Sequence, residues 1–458
     1  MKTTISTLLL FTAAQLCFSQ FTPLHLFDQG VNGANSYSTL INDGTYVYGT
    51  TAYGISANKG TIFRMMVDGS GFETLHEFTG YPDGHQPVCG LYSDGTWLYG
   101  TTRVGGVFDA GAVYKIKSDG SEYQVFYSFE GLYEGLWPEG SVISDGIYIY
   151  GMTNRGGDYS KGLIYRVMPD GTGYETLHEF DGANTGKYPH GALLFDGTWM
   201  YGLTQLGGVN DDGVIFRIMP DGTGYEKLFD FEMSTSGGSP HDSFLMHEGW
   251  LYSLNFVGGT NGNGTLFKIQ PDGNNFTVLL NFESLTTGRA GISSPITDGT
   301  YLYGMTQLGG TYDNGVIFSI KPDGTDFLKM FEFQSEVTGY SPSAGLLMID
   351  NFVYGASLYG AENGGGLLFK FQYQPQIAVN DSNFTTIDVY PNPANDFISI
   401  QGIASSALIT VVDITGKIVL NANVVQNRTL NISSLDAGIY MISITQDGIN
   451  VTKKIVVE

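Results

Sequence analysis

Apolar positions along the chain fall in runs of five to eight residues, divided by Gly-rich punctuation, and no stretch carries a helical period. The runs TYVYGTT, TIFRMM and FETLHEF follow one another, and a run ahead of them reads GLYSD in one later copy and ALLFD in another. Asp-Gly pairs sit between the first and second runs and between the third and fourth: Asp43-Gly44, Asp94-Gly95, Asp68-Gly69 and Asp119-Gly120. Such pairs supply the positive φ angles that a two-residue hairpin turn requires, so each unit predicts four antiparallel strands. The unit recurs every 51 residues without insertion or deletion, Tyr48 returning as Tyr99, Tyr150, Tyr201, Tyr252, Tyr303 and Tyr354. Gly54 and Phe78 run on the same period, the latter to Phe333.

The second strand is apolar on both sides, with Tyr46 and Tyr48 pointing one way and Val47 the other. A sheet wet on one face would alternate polar and apolar, so these strands require cover on both faces. Stacking such sheets around an axis provides it, and units of about 40–50 residues are the propeller range. The seventh copy stops after its third strand, near Gln374, while Phe21 to Phe27 match the missing fourth, Phe27 lying 51 residues before Phe78. The expected architecture is all-β: a seven-bladed β-propeller over 20–374, its sheet edge removed by an N-terminal strand that closes the last blade.

At the amino end, Lys2, the apolar run Ile5 to Phe18 and the small Ser19 predict a secretory signal over 1–19. That run is short for a membrane span, so no transmembrane segment is expected in the mature chain. Cys89 is then the one cysteine left, which excludes an internal disulfide and a cysteine metal site. Its equivalents, among them Ser38, Gly140, Gly191 and Ala344, are mostly small. Past the repeats, 375–385 reads as a polar linker, and the runs in 386–458 predict a small β-sandwich. The formal charge of −24 repels nucleic acid and anionic membranes, although many of the acids are turn formers such as Asp43 and Asp68. No EF-hand loop, nucleophile elbow, metalloprotease helix or dinucleotide fingerprint occurs, so neither a metal nor a cofactor is expected.

Two resemblances follow from particular residues. Tyr390-Pro391-Asn392-Pro393-Ala394, the Val412 to Lys417 hairpin, Leu435 to Tyr440 and the closing Lys453 to Val457 resemble the type A sorting domain of the type IX secretion system of Bacteroidota. That resemblance implies export across both membranes, with residues 386–458 engaging the type IX machinery. Leu98-Tyr99-Gly100-Thr101-Thr102, Gly105-Gly106 and Gly111 to Tyr114 are similar to the Gloeo_Verruco (GloVer) tandem repeat, from which the fifth copy departs at Ser253-Leu254-Asn255. This second resemblance implies a fold and a surface address, and no chemistry.

Positions that break the internal symmetry are where chemistry is sought. His25, His76 and His178 share a slot with Tyr127, Phe229 and Phe331 and are expected to pack. His190 and His241 share another slot, preceded one blade earlier by Glu139 and followed by Asp242. Glu139, His190, His241 and Asp242 are thus candidates for binding a divalent metal or for an acid–base cluster at one channel mouth, or simply for the lining of a wet channel. Trp97, Trp199 and Trp250 fill the Tyr46 slot and read as core, whereas Trp137 and Tyr188 lie in a loop slot as exposed flat aromatics. With Lys187, Arg155 and Asn154 nearby, they suit stacking on sugar rings and hydrogen bonding to their hydroxyls or carboxylates. The sequence therefore points to a secreted, non-catalytic binding or adhesion propeller for glycan or surface polymer, with a polysaccharide lyase and a structural surface component as the alternatives.

Overall fold

The computed structural model describes residues 21–373, 388–401, 407–413, 417–424, 429–446 and 449–457. The expected signal (1–19) and linker (375–385) lie outside the described residues, as do Ile414 to Gly416 of the sorting-domain hairpin. The chain divides into two compact units, Met1–Tyr373 and Gln374–Glu458.

Among the described residues the first unit holds seven antiparallel sheets, one per repeat. In the second repeat the strands are Tyr92–Ser93, Trp97–Thr102, Ala112–Lys117 and Gln124–Ser128, hydrogen-bonded in that order. In the seventh, Phe21–Leu26 pairs with Leu367–Gln372, Phe21 opposite Phe371 and Leu26 opposite Leu367. The first run of each repeat is shorter than its apolar length suggests, two or three residues of strand. Backbones crowd there: a Cβ on Gly140 would stand 2.1 Å from the Gly191 carbonyl oxygen, and one on Gly191 2.3 Å from the Asp242 carbonyl carbon. The structure also contains a single helical turn, Ser335–Thr338, among the described residues.

The Asp-Gly turns differ from the expected two-residue type. Gly44 (φ 91°) and Gly69 (φ 98°) take positive angles, but Asp43 and Asp68 do not. The aspartate acts through its carboxylate, Asp43 Oδ1 accepting the Thr45 and Tyr46 N–H groups at 2.8 Å, so the side chain mimics a turn of backbone. Glu248-Gly249 of the fifth repeat does place both residues at positive φ, 49° and 77°.

Each sheet packs on the next. Tyr48 and Ile62 share a core with Leu98 and Tyr114, and Val47 and Phe63 of the first sheet share one with Tyr354 and Leu368 of the seventh. The packing histidines behave as expected: His25 stacks on Phe72, His76 on Tyr123 and His178 on Tyr225, with ring centroids 3.6, 3.6 and 3.7 Å apart. Phe331 continues the series on Phe21, at 4.6 Å and 5° between planes. Trp97, Trp199 and Trp250 are half-buried rather than core, because a strand-three cation covers each ring: Lys115, Arg217 and Lys268 at 4.9, 4.4 and 4.6 Å.

The second unit contains a three-stranded sheet (Asp388–Tyr390, Phe397–Gln401, Thr429–Asn431) and a four-stranded one (Ala407–Asp413, Ile418–Val424, Gly438–Gln446, Ile449–Val457). Ile398 and Ile400 of the first sheet share one core with Ile409, Ile442 and Ile455 of the second. Asn392 explains part of the YPNP run. Its side chain donates to the Lys454 carbonyl and accepts the Val456 N–H, both at 2.8 Å, fastening that run to the closing strand.

Candidate functional site

One residue from each repeat lines a common narrow cavity of about 70 Å³: Tyr37, Val88, Glu139, His190, His241, Ile292 and Ser343. The expected acid–base residues do come together on it. Arg103 Nε stands 2.6 Å from Glu139 Oε1, an ion pair bent too far to count as a hydrogen bond. The other Glu139 oxygen is 3.8 Å from His190 Nε2, beyond hydrogen-bond distance. His190 Nδ1 donates to the His241 carbonyl at 2.9 Å, and Gln205 Nε2 lies 3.0 Å from His241 Nε2. Burial, reinforced by His190, pushes His241 down to about 3, so it is neutral at pH 7. Asp242 is enclosed, and burial drives its carboxyl upward against the opposing Ser294 N–H, which it accepts at 2.8 Å.

Beside this network runs a ladder of cations and rings. The Arg103 guanidinium lies 4.9 Å from the Trp137 ring centroid, and that of Arg155 lies 5.8 Å from Trp137 and 3.4 Å from Tyr188. Lys187 Nζ follows at 5.6 Å from Tyr188. Trp137 (φ 60°) and Tyr188 (φ 59°) both adopt the left-handed backbone, where a bulky residue is rare. Asn35, Gln86, Ser239, Ala290 and Ser341 adopt it at the same slot with φ between 54° and 60°. The bend therefore belongs to the scaffold, and the rings are what two repeats add to it.

Three expectations are corrected here. Trp137 and Tyr188 are half-buried, not exposed: arginines from two repeats flank Trp137, and Arg155 lies over Tyr188, which sits in the short strand Lys187–Pro189 rather than a loop. Asn154 is buried and donates to the Pro189 carbonyl at 3.3 Å. Lys187 is tied to Asp211 at 2.8 Å. Both of these polar groups are thus committed within the chain.

A second concavity escaped the sequence reading. A groove of about 580 Å³ is lined by Pro82, Asp83, Phe108, Tyr123, Phe126 and Tyr127, among others, with Phe108 half-exposed at its rim. Comparison of the repeats does not single it out, because Tyr159 and Tyr312 put aromatic rings at the position equivalent to Phe108.

A model of the Gloeobacter/Verrucomicrobia repeat matches residues 10–148 and 138–300, and one of a secretion system C-terminal sorting domain matches 388–458. None of the curated proteins matches the chain. Among solved structures it is similar to the extracellular domain of BT4673 from B. thetaiotaomicron, described as a hybrid two-component system (14% identity, TM-score 0.52, 96% of this chain and 59% of that one). It is also similar to the corresponding domain of BT3049 from the same organism (10%, 0.52, 96% and 57%). PorZ, an essential surface component of the type-IX secretion system of Porphyromonas gingivalis, is similar at 13% identity and TM-score 0.49, over 95% of this chain and 60% of that one. The chain thus spans about three fifths of the length of these structures, and the likeness to the first two bears on the fold alone, which is β-propeller-like. The sorting domain marks it for type IX export, outside the cell or on its surface. The chain belongs to the Gloeobacter/Verrucomicrobia repeat family and ends in a type IX sorting domain.

Proposed function

We propose that the chain is a secreted or surface-displayed binding module that holds glycan or surface polymer without transforming it. Its repeats (20–374) form a seven-bladed ring closed by the N-terminal strand, preceded by a cleaved signal (1–19) and joined by a linker (375–385) to the sorting domain (386–458). The observation that carries the reading is the pair Trp137 and Tyr188, held on left-handed backbone with Arg155 against both rings. Aromatic faces with an interleaved guanidinium match the apolar faces and polar rims of sugars.

Two magnitudes favour binding over catalysis. The axial cavity of about 70 Å³ admits a few waters, whereas ligand pockets occupy roughly 300–1,000 Å³. His241, at about 3, is a weak base at neutral pH, where an efficient one titrates near the working pH. A polysaccharide lyase remains the second reading, supported by the convergence of Glu139, His190, His241 and Asp242 on one cavity. A glycan array on the secreted protein, run beside ultraviolet detection of unsaturated products, separates the two. Retention of a polymer with no product is the expected result; product formation transfers the assignment to the lyase, and retention of nothing removes both.

A further inference from the structure

The first unit holds six arginines, and five of them face a carboxylate. Arg64 meets Glu73 at 2.7 Å, Arg103 Glu139 at 2.6 Å, Arg166 Glu175 at 2.6 Å, Arg217 Glu226 at 2.7 Å and Arg289 Asp313 at 2.9 Å. The sixth is Arg155. Among the described residues it has no carboxylate within ion-pair distance, and its Nη1 is shielded from water with no acceptor. This happens in a chain with 45 acidic residues to 21 basic ones, where an acidic partner is the statistical default. All six sister repeats fill the Arg155 slot without charge, with Tyr53, Val104, Leu206, Val257, Leu308 and Tyr359, so the fold does not ask for a cation there.

A guanidinium is planar, permanently charged and shaped to grip an oxyanion with two parallel N–H bonds. Here it is laid 3.4 Å from the Tyr188 centroid, beside Trp137, on the two rings already assigned to sugar faces. Its neighbouring cations are neutralised, Arg103 by Glu139 and Lys187 by Asp211, so Arg155 leaves the ladder with a formal charge of +1. We infer that this ladder takes an acidic glycan, the sugar stacking on Trp137 and Tyr188 while its carboxylate or sulfate meets Arg155. The inference rests on the glycan-binding reading above and narrows its ligand class. The net charge of −24 does not oppose it at contact range, because fields of exposed charges fade beyond about 8 Å at physiological salt.

The test is a binding titration of the full secreted chain against polygalacturonate, its fully methyl-esterified form, dextran sulfate and dextran at physiological salt. The variant is Arg155→Leu, a residue that the equivalent positions Leu206 and Leu308 show the scaffold accepts. At least one charged polymer is expected to bind tenfold or more tightly than its uncharged counterpart, and Arg155→Leu to bring that ratio down to about one. The two acidic arms tell carboxylate from sulfate recognition. Equal affinity for charged and uncharged forms, or a preference that survives Arg155→Leu, overturns this inference and leaves glycan binding standing. Retention of no polymer of either kind overturns both.

Discussion

The phenol of Tyr48 donates to Asp43 Oδ2 at 2.7 Å, while the other oxygen of that carboxylate holds the turn backbone. Four further repeats copy the pair: Tyr99–Asp94, Tyr150–Asp145, Tyr201–Asp196 and Tyr303–Asp298, at 2.7–2.9 Å. Burial pushes Asp43 upward, but the Tyr46 and Thr45 N–H groups and the Tyr48 phenol outweigh it and hold it below the usual carboxylate value. One acidic side chain thus ends a strand, caps a turn and satisfies the hydroxyl of a tyrosine packed between sheets.

Removing the hydroxyl should cost stability only where an aspartate receives it. Tyr150→Phe is expected to lose about 1 kcal/mol in urea unfolding, the usual net worth of a hydrogen bond. Tyr252→Phe is the internal control, since its repeat offers Glu248-Gly249 and the Tyr252 hydroxyl has no partner among the described residues. That variant should stay within about 0.5 kcal/mol of the parent. Equal losses in the two would show that the carboxylate adds nothing.

The period of 51 made the sheets legible, because a buried tyrosine or glycine cannot drift from its register without emptying a core. Turn type was not legible, since Asp-Gly serves equally as a two-positive-φ turn and as a carboxylate-capped one. The ladder was hidden for another reason. Trp137 reads as exposed within its own repeat, and its cover, Arg103, comes from the repeat before. A cross-repeat signal did exist at an offset of 36: Gln205 meets His241 and Gln307 meets Ser343, as Arg103 meets Glu139. Polar residues at that offset face polar ones, whereas Ala52 with Val88 and Phe256 with Ile292 are apolar at both positions.

Histidines packed between sheets make the fold sensitive to mild acid. Burial lowers His178 to about 4 from an ordinary 6.5. Above pH 6.5 both folded and unfolded chains hold it neutral. Between 6.5 and about 4 the unfolded chain takes up a proton that the folded one refuses, so stability falls with pH across that window. Phenylalanine occupies the same slot at Phe229 and stacks on Phe276 at 4.0 Å, as His178 stacks on Tyr225. His178→Phe should therefore fold normally at pH 7.5 and lose less stability than the parent when unfolding is repeated at pH 5. An unchanged drop would exclude His178 as a source of the acid sensitivity.

The crowding beside the narrow cavity predicts a sharp contrast between two glycines. A methyl on Gly140 meets the Gly191 carbonyl oxygen at 2.1 Å, backbone that cannot swing aside. Gly140→Ala should cost about 3 kcal/mol, near the upper end of overpacking penalties. Gly146, at φ 92° with nothing within 4 Å of an added Cβ, should lose only about 1 kcal/mol as Gly146→Ala, for its backbone angle alone. Similar losses for the two would mean that the inner segments have room to part.

The proposed closure of the ring hangs on Phe21. Its ring is buried, stacked on Phe331 at 4.6 Å and on Phe369 at 5.1 Å, and set edge-on to Phe333 at 6.3 Å. Those partners belong to the sixth and seventh sheets, so one side chain from the amino end seals the junction between them. Phe21→Ala should destabilise the repeats by about 3–5 kcal/mol, the range for emptying a buried aromatic site. Deleting 21–27 should go further and expose the Leu367–Gln372 edge, which a synthetic peptide of the same seven residues should then occupy and restore. A deletion variant that unfolds at the parental midpoint, or gains nothing from the peptide, would mean that the strand ornaments an already stable stack and that the ring is not closed by it.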